Sequence, residues 1–323
     1  MTAYVLLLIV GMGLLVKGAD LFVSGASNIA KALKIPPLVI GLTLVSMGTS
    51  APEASVSING AINSAADLSV GNIVGSNIFN TLFILGLSAL IAPIKIDDEV
   101  KKADIPFMLI AYMLIPLLTL VITPMRLSAL EAVILTVAFV LYTVALIIRT
   151  KATKKRASTT TGCVQAASTE RLKPRALLAS ALYSVVGLSG IILGGESVVQ
   201  SASEIAIDLG MSKSLVGLTI VAVGTSLPEL MTSVVAAVKK ENDIAIGNVI
   251  GSNIFNVLFI LGVSATIKEV SLSQSAILDI AVMTGSGILL SAIALSSKTI
   301  NRAHALTFLA AYVGYTAYII VRN

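Results

Sequence analysis

Apolar residues run in stretches of about 20 along the whole chain, separated by short polar breaks. A stretch of that length crosses the hydrocarbon core of a bilayer as an α-helix. The pattern predicts ten spans, near residues 3–30, 36–60, 68–94, 104–122, 126–148, 176–208, 213–237, 244–266, 274–296 and 303–321. Proline placement agrees. Pro36, Pro37, Pro93, Pro106, Pro124 and Pro174 fall near span ends or in loops, where a missing N–H does least harm. Only Pro52, Pro116 and Pro228 fall inside spans. The fold class expected is an all-α polytopic membrane protein.

Composition strengthens that reading and removes others. Of 323 residues, 56% are hydrophobic and 12% charged, with a mean hydropathy of +0.97, against roughly 25% charged in soluble domains. The first apolar run lacks a basic n-region and a small-residue cleavage site, so it reads as a retained span rather than a signal peptide. One cysteine, Cys163, and one histidine, His304, exclude an internal disulfide, HExxH zinc chemistry, Cys–His nucleophiles and bis-histidine haem. There is no phosphate-binding loop, which argues against direct ATP-driven pumping. No enzyme activity, resident cofactor or obligatory protein partner is expected. The net charge of +5 reflects basic loops rather than nucleic-acid binding. Residues 149–175 carry eight Lys or Arg against one Glu, and their Ser/Thr-rich middle reads as a flexible linker. With that loop cytoplasmic, 17 of the 22 basic residues fall on its side, as the positive-inside rule requires. Both termini are then extracytoplasmic, in the inner (cytoplasmic) cell membrane.

The chain contains itself twice. Shifted by 176 positions, residues 41–80 align with 217–256 without a gap, and twenty of these forty positions are identical. TLFILGLSA at 81–89 continues as VLFILGVSA at 257–265. Each half holds five spans, and five is odd, so the second half enters the membrane the other way up. This is the inverted repeat of many secondary transporters. The expected division is a first repeat at 1–148, a cytoplasmic basic linker at 149–175 and an inverted second repeat at 176–323.

Polar words survive best between the halves: GTSxPE at 48–53 and 224–229, and GNxxGSNIFN at 71–80 and 247–256. Pro52 removes the hydrogen bond that the Gly48 carbonyl would accept, and Pro228 does the same to Gly224. Broken backbone at membrane depth is tolerated only against protein or a wet cavity. A carboxylate there costs about 2.5–3.5 kcal/mol, yet Glu53 and Glu229 follow the breaks with no Lys or Arg at matching depth. The neighbours are oxygen donors. Ser46, Thr49 and Ser50 share a helical face with Glu53, and Thr225 and Ser226 do the same for Glu229. Ser76 and Asn80, like Ser252 and Asn256, are spaced i, i+4. Oxygen-only ligands favour Ca²⁺, Na⁺ or Mg²⁺, and a flexible mixed set suits Ca²⁺ best.

These motifs resemble the α-repeats of the cation/calcium exchanger superfamily, specifically its bacterial and archaeal sodium/calcium exchanger-like members. The resemblance implies a site where Glu53 and Glu229 bind Ca²⁺ with Thr49 and Thr225. It implies Na⁺ sites using Ser46, Ser50, Ser76, the Ala222 carbonyl, Ser226 and Ser252, with Asn80 and Asn256 at the centre. It also implies that spans one and six rock past spans two, three, seven and eight. The expected function is antiport of Ca²⁺ against Na⁺. Several members carry Asp where this chain has Asn256, so two central carboxylates remain here. One Ca²⁺, two Na⁺ or two H⁺ would balance them, and a Ca²⁺/H⁺ antiporter stands as the alternative. An uncoupled cation channel fits the matched cage less well, and a membrane enzyme least.

Other polar residues read as structural. Asn72 and Asn248 suit helix-interface hydrogen bonds, and Gly71/Gly75 and Gly247/Gly251 suit close helix packing. Asp20 and Glu196 read as solvated or capping, with Lys17 snorkelling or pairing with Asp20. KIDDEVKK at 95–102 reads as a solvated loop.

Overall fold

The computed structural model describes residues 2–63, 66–160, 174–211, 220 and 222–322. Eight of its helices are long and apolar enough to cross a membrane: α1 (Thr2–Leu33), α4 (Ser69–Ile91), α5 (Val100–Ile122), α6 (Ala129–Thr160), α7 (Pro174–Asp208), α9 (Asn242–Ile267), α10 (Gln274–Ser296) and α11 (Arg302–Arg322). Expected span two is broken into α2 (Pro37–Thr49) and α3 (Ala51–Ile62). Its repeat mate supplies α8 (Leu227–Val238), preceded by a single turn at Ala222–Gly224. Residues 213–219 and 221 of expected span seven, and Cys163 in the basic segment, lie outside the described residues.

One expectation needs correcting. The helix of expected span five continues past 148 to Thr160, so the first twelve of the 27 residues in the basic segment are helical, including the start of the Ser/Thr-rich middle read as flexible. Lys, Arg and Ala dominate residues 149–156, and all three are strong helix formers.

Polarity is distributed for lipid. Leu6, Ile9, Leu141, Leu178, Val185 and Val313 are exposed, whereas Ser46, Thr49, Glu53, Asn80, Glu229 and Asn256 are buried. In hydrocarbon the periphery can be apolar, and interhelical hydrogen bonds hold the interior. The central helices α4 and α9 are the most buried of the long helices, and α11 is the most exposed.

Structural details repeat with the 176-residue shift. Strand β1 (Ile94–Lys95) pairs antiparallel with β4 (Thr299–Ile300), and β2 (Arg126–Leu127) pairs with β3 (Val270–Ser271). β3 is the repeat mate of β1, so each miniature sheet joins one strand from each half. Phe79 and Phe83 stack at 4.9 Å with Tyr312 against them, and Phe255 and Phe259 stack at 4.9 Å with Phe139 against them. Both stacks sit on π-helical stretches, Phe79–Ile84 and Phe255–Ile260. A π-turn inserts one extra residue, which re-aims the side chains beside the site.

Helices α1 and α7 run antiparallel in backbone contact. Gly11, Gly18 and Gly25 recur every seven residues and face Gly194, Gly187 and Ser180 in turn. A Cβ at Gly187 would sit 2.5 Å from the Phe22 amide nitrogen, and one at Gly194 would sit 2.7 Å from that of Leu15. Backbone cannot yield as a side chain can. Gly187→Ala is therefore expected to destabilise the protein by about 1–3 kcal/mol, the range for overpacking a tight interface. Thermal unfolding in detergent would register this, and an unchanged midpoint would contradict the seam. A similar approach joins α9 to α2, where a Cβ at Gly247 would meet the Leu38 carbonyl at 2.9 Å and one at Gly251 would meet the Leu42 carbonyl at 2.7 Å. Gly71 and Gly75 have nothing within 4 Å among the described residues.

Polar ties fasten one end of α1. Lys239 Nζ lies 2.6 Å from Asp20 Oδ1 and donates to the Asp20 carbonyl and Ser24 Oγ, while Ser27 donates to Glu241 at 2.6 Å. Asp20 thus pairs with Lys239, the residue just past the end of α8, rather than with Lys17 one turn away. The pairing of α5 with α6 by Asp104 and Arg149, at 2.7 Å, was not anticipated from the sequence. Arg149 begins the basic segment in sequence, and only the continuation of α6 past 148 brings it to Asp104.

Candidate cation site

The two breaks are built alike. Ser50 (φ −81°, ψ 10°) and Ser226 (φ −90°, ψ 7°) leave helical geometry, and Pro52 and Pro228 enter the first turn of α3 and α8. Proline suits that position because the N–H it lacks would have no intrahelical acceptor. Glu53 and Glu229 follow in the same first turn, near the positive end of each half-helix dipole. A helix start at membrane depth therefore offsets part of the cost of a carboxylate that no Lys or Arg pairs with among the described residues.

The carboxylates are held reciprocally across the repeat axis. Ser50 Oγ donates to Glu229 Oε1 at 2.7 Å, and its mate Ser226 Oγ donates to Glu53 Oε1 at 2.9 Å. Ser76 lies 3.0 Å from Ser226 and 3.4 Å from Glu53 Oε1. The asparagines follow the same rule: Asn80 Nδ2 donates to Asn253 Oδ1 at 3.2 Å, and Asn256 Nδ2 donates to Asn77 Oδ1 at 3.0 Å. Asn72 ties α4 to α3 through Ser57 at 3.0 Å, and Asn248 ties α9 to α8 through Ser233 at 2.9 Å.

The two carboxylates and the two central asparagines each use one atom and spare an oxygen. Glu53 Oε2, Glu229 Oε2, Asn80 Oδ1, Asn256 Oδ1 and Thr225 Oγ1 are buried without a hydrogen-bond partner. Four of the five form two symmetry-matched pairs of oxygens, and no donor nitrogen is among the five. A buried polar atom without a partner is costly, and a pure oxygen set has the chemistry of a hard-cation cage. Each carboxylate is bonded by the serine of the other half's break, so a shared positive charge between the breaks would satisfy both.

The remaining expected ligands are placed less uniformly. Thr49 Oγ1 is 3.1 Å from Asn248 Oδ1 and 3.3 Å from the Ser46 carbonyl, and Ser252 donates to that same carbonyl at 3.4 Å. Ser46 Oγ turns back to the Thr43 carbonyl at 3.2 Å. Ala222 begins the turn that leads to Thr225. Asn77 and Asn253 orient the central asparagines, a role that their position beside Ser76 and Ser252 did not disclose. Thr81, which accepts from Asn253 at 2.9 Å and bonds Tyr112 at 3.2 Å, was missed altogether. It stands in an apolar run, and its repeat mate is the apolar Val257.

A crevice of about 670 Å³ extends to Thr225. Ala51, Ser55, Glu196, Gln200, Ser203 and Thr225 are among its lining residues.

An inverted pair of five-helix halves around a buried oxygen cage defines a membrane transporter. The model of the sodium/calcium exchanger protein family matches residues 3–148 and 179–321, and the chain belongs to that family. The inner membrane protein YrbG of Escherichia coli is 37% identical over 81% of this chain and 79% of its own length. The sodium/calcium exchanger MaX1 of Methanosarcina acetivorans is 33% identical over 84% of this chain and 85% of its own. The solved structure of the sodium-calcium exchanger NCX_Mj, soaked with 2.5 mM Na⁺ and 0.1 mM Ca²⁺, superposes with a TM-score of 0.84 at 32% identity, covering 98% of both chains. These relatives are exchangers and membrane proteins, and the chain is a transporter rather than an enzyme.

Serine-to-alanine changes probe the reciprocity. Ser50→Ala and Ser226→Ala each remove one hydrogen bond to a carboxylate, worth about 1.5–3 kcal/mol. Each is expected to weaken cation binding roughly tenfold or more, and by similar factors. Calorimetric titration of the purified variants with Ca²⁺ would read both, and a loss in one variant alone would contradict a shared two-fold site.

Proposed function

We propose that this protein exchanges Ca²⁺ for Na⁺ across the inner (cytoplasmic) cell membrane, exporting Ca²⁺ as Na⁺ enters. The observation that carries this reading is the symmetric set of buried oxygens that lack partners on Glu53, Glu229, Asn80 and Asn256. Two carboxylates balance one Ca²⁺ or two Na⁺, and both ions accept mixed oxygen ligands. Overlapping use of one cage makes the ions compete, which is the basis of exchange. Ca²⁺ is held by Glu53 and Glu229 with Thr49 and Thr225, while Na⁺ uses Ser46, Ser50, Ser76, the Ala222 carbonyl, Ser226 and Ser252. No resident cofactor or protein partner is needed. The halves 1–148 and 176–323 work as inverted repeats joined by the cytoplasmic segment 149–175, with both termini extracytoplasmic. Access alternates as α1 and α7 rock against the central helices.

The deciding experiment is ⁴⁵Ca²⁺ uptake into proteoliposomes loaded with Na⁺ and diluted into Na⁺-free buffer at clamped pH. Uptake that requires the Na⁺ gradient is the expected result. Asn at both 80 and 256 leaves two carboxylates, which two protons would also balance. Uptake driven only by a pH gradient would therefore move the coupling ion to H⁺, and Ca²⁺ flux with neither gradient would mean a channel.

A further inference from the structure

Glu196 is the repeat mate of Asp20, yet the two carboxylates have different surroundings. Asp20 is neutralised by Lys239, whose ammonium lies 2.6 Å from it and also engages Ser24. Shifted by 176 residues, the position of Lys239 is Asn63 and that of Ser24 is Gln200. At the position equivalent to Lys239, the first half therefore offers Glu196 an amide in place of an ammonium. Glu196 has no ion pair among the described residues; its residue is exposed, and it lines the crevice that also reaches Thr225. Its predecessor, Gly195, packs beside Pro228, with an added Cβ 3.9 Å from the proline ring. An uncompensated carboxylate thus stands at the approach to the cage, beside the break that presents Glu229.

We propose that Glu196 is the recruiting carboxylate of the access crevice, raising the local concentration of cations on the side from which the cage is reached. This rests on the exchange reading above. A single-sign charge in a cleft with apolar walls focuses field lines toward its mouth and accelerates the entry of counter-charged ligands. The effect acts at a distance, so Glu196 need not ligate the ion at the cage. It also acts from one side only, because on the other side Lys239 cancels the equivalent charge. Screening is its signature: the Debye length falls from about 30 Å at 0.01 M salt to about 3 Å at 1 M.

The test compares wild type, Glu196→Gln and Glu196→Asp in intact cells and in inverted membrane vesicles, with Ca²⁺ presented from each side in 10 mM or 500 mM choline chloride. Glu196→Gln is expected to raise the KM for Ca²⁺ about fivefold at low salt, from one side only, with maximal rate unchanged. The difference should close at high salt, and Glu196→Asp should restore most of it. A change that persists at high salt, or appears equally from both sides, would overturn the proposal by showing that the residue acts on the cage or the fold. An unchanged KM would overturn it as well. Absence of Na⁺-dependent Ca²⁺ flux in wild type would instead fail the exchange reading, and this inference would fall with it.

Discussion

Glu229→Gln is expected to abolish exchange while leaving the protein at least as stable without ions. Glutamine keeps an oxygen to accept from Ser50, which now donates at 2.7 Å, so the local hydrogen bond survives. What disappears is half of the negative charge that would balance a divalent ion. A buried ion stripped of a counter-charge loses about 3–5 kcal/mol, equivalent to at least a hundredfold in affinity. In the ion-free protein the same substitution removes an uncompensated buried charge, which favours stability. Uptake assays and thermal unfolding with and without Ca²⁺ separate these effects. Lost transport with a retained ion-free midpoint and a vanished Ca²⁺-induced stabilisation is the expected set. A midpoint that collapses without ions would assign Glu229 a structural role. Glu53→Gln should behave alike, because Ser226 holds Glu53 as Ser50 holds Glu229.

Asn256→Asp is expected to weaken Ca²⁺ binding at neutral pH and to make binding steeply pH-dependent. The Asn256 amide donates to Asn77 Oδ1, and the orientation of Asn77 is fixed because its own amide donates to the Asn253 carbonyl at 3.2 Å. A carboxylate at 256 would face Asn77 Oδ1, an acceptor, where the Asn256 amide now donates. Leaving two buried acceptors opposed costs about 1–3 kcal/mol, unless a proton or an additional cation sits between them. Binding isotherms from pH 6 to 9 would show this, and a variant that matches wild type across the range would exclude the asparagine relay. The double variant Asn77→Ser, Asn256→Asp, which shortens the opposing group, is expected to recover part of the loss.

The architecture was legible because it is written in long-range pattern. Apolar runs gave the helices, and the odd number of spans per half gave the inversion. GTSxPE located the breaks at Ser50 and Ser226 because proline has only one comfortable place in a helix, its first turn. Partner choice was not legible. Asp20 has Lys17 three positions away in sequence, yet it binds Lys239 because α8 crosses α1 there. Asp104 looked like a span edge until α6 brought Arg149 to it. The roles of Asn77 and Asn253 are not legible in sequence, because orienting another amide requires knowing which amide stands opposite. The helix through 149–160 shows the opposite failure. The Ser/Thr-rich middle of 149–175 reads as flexible, yet the local propensity of the Lys, Arg and Ala before it is enough to prolong α6 to Thr160.

The seam between α1 and α7 bears on efficiency. Gly11, Gly18 and Gly25 place the backbone of one helix directly against the other, so neither can tilt without carrying its neighbour. An antiporter whose two doors hang on separate hinges can open both at once and short-circuit the gradient that drives it. On the exchange reading proposed above, the doors would be opposite ends of one plank. Slippage would then require the plank to split along its length, which would make tight coupling between the two fluxes a property of helix packing as much as of the ligands.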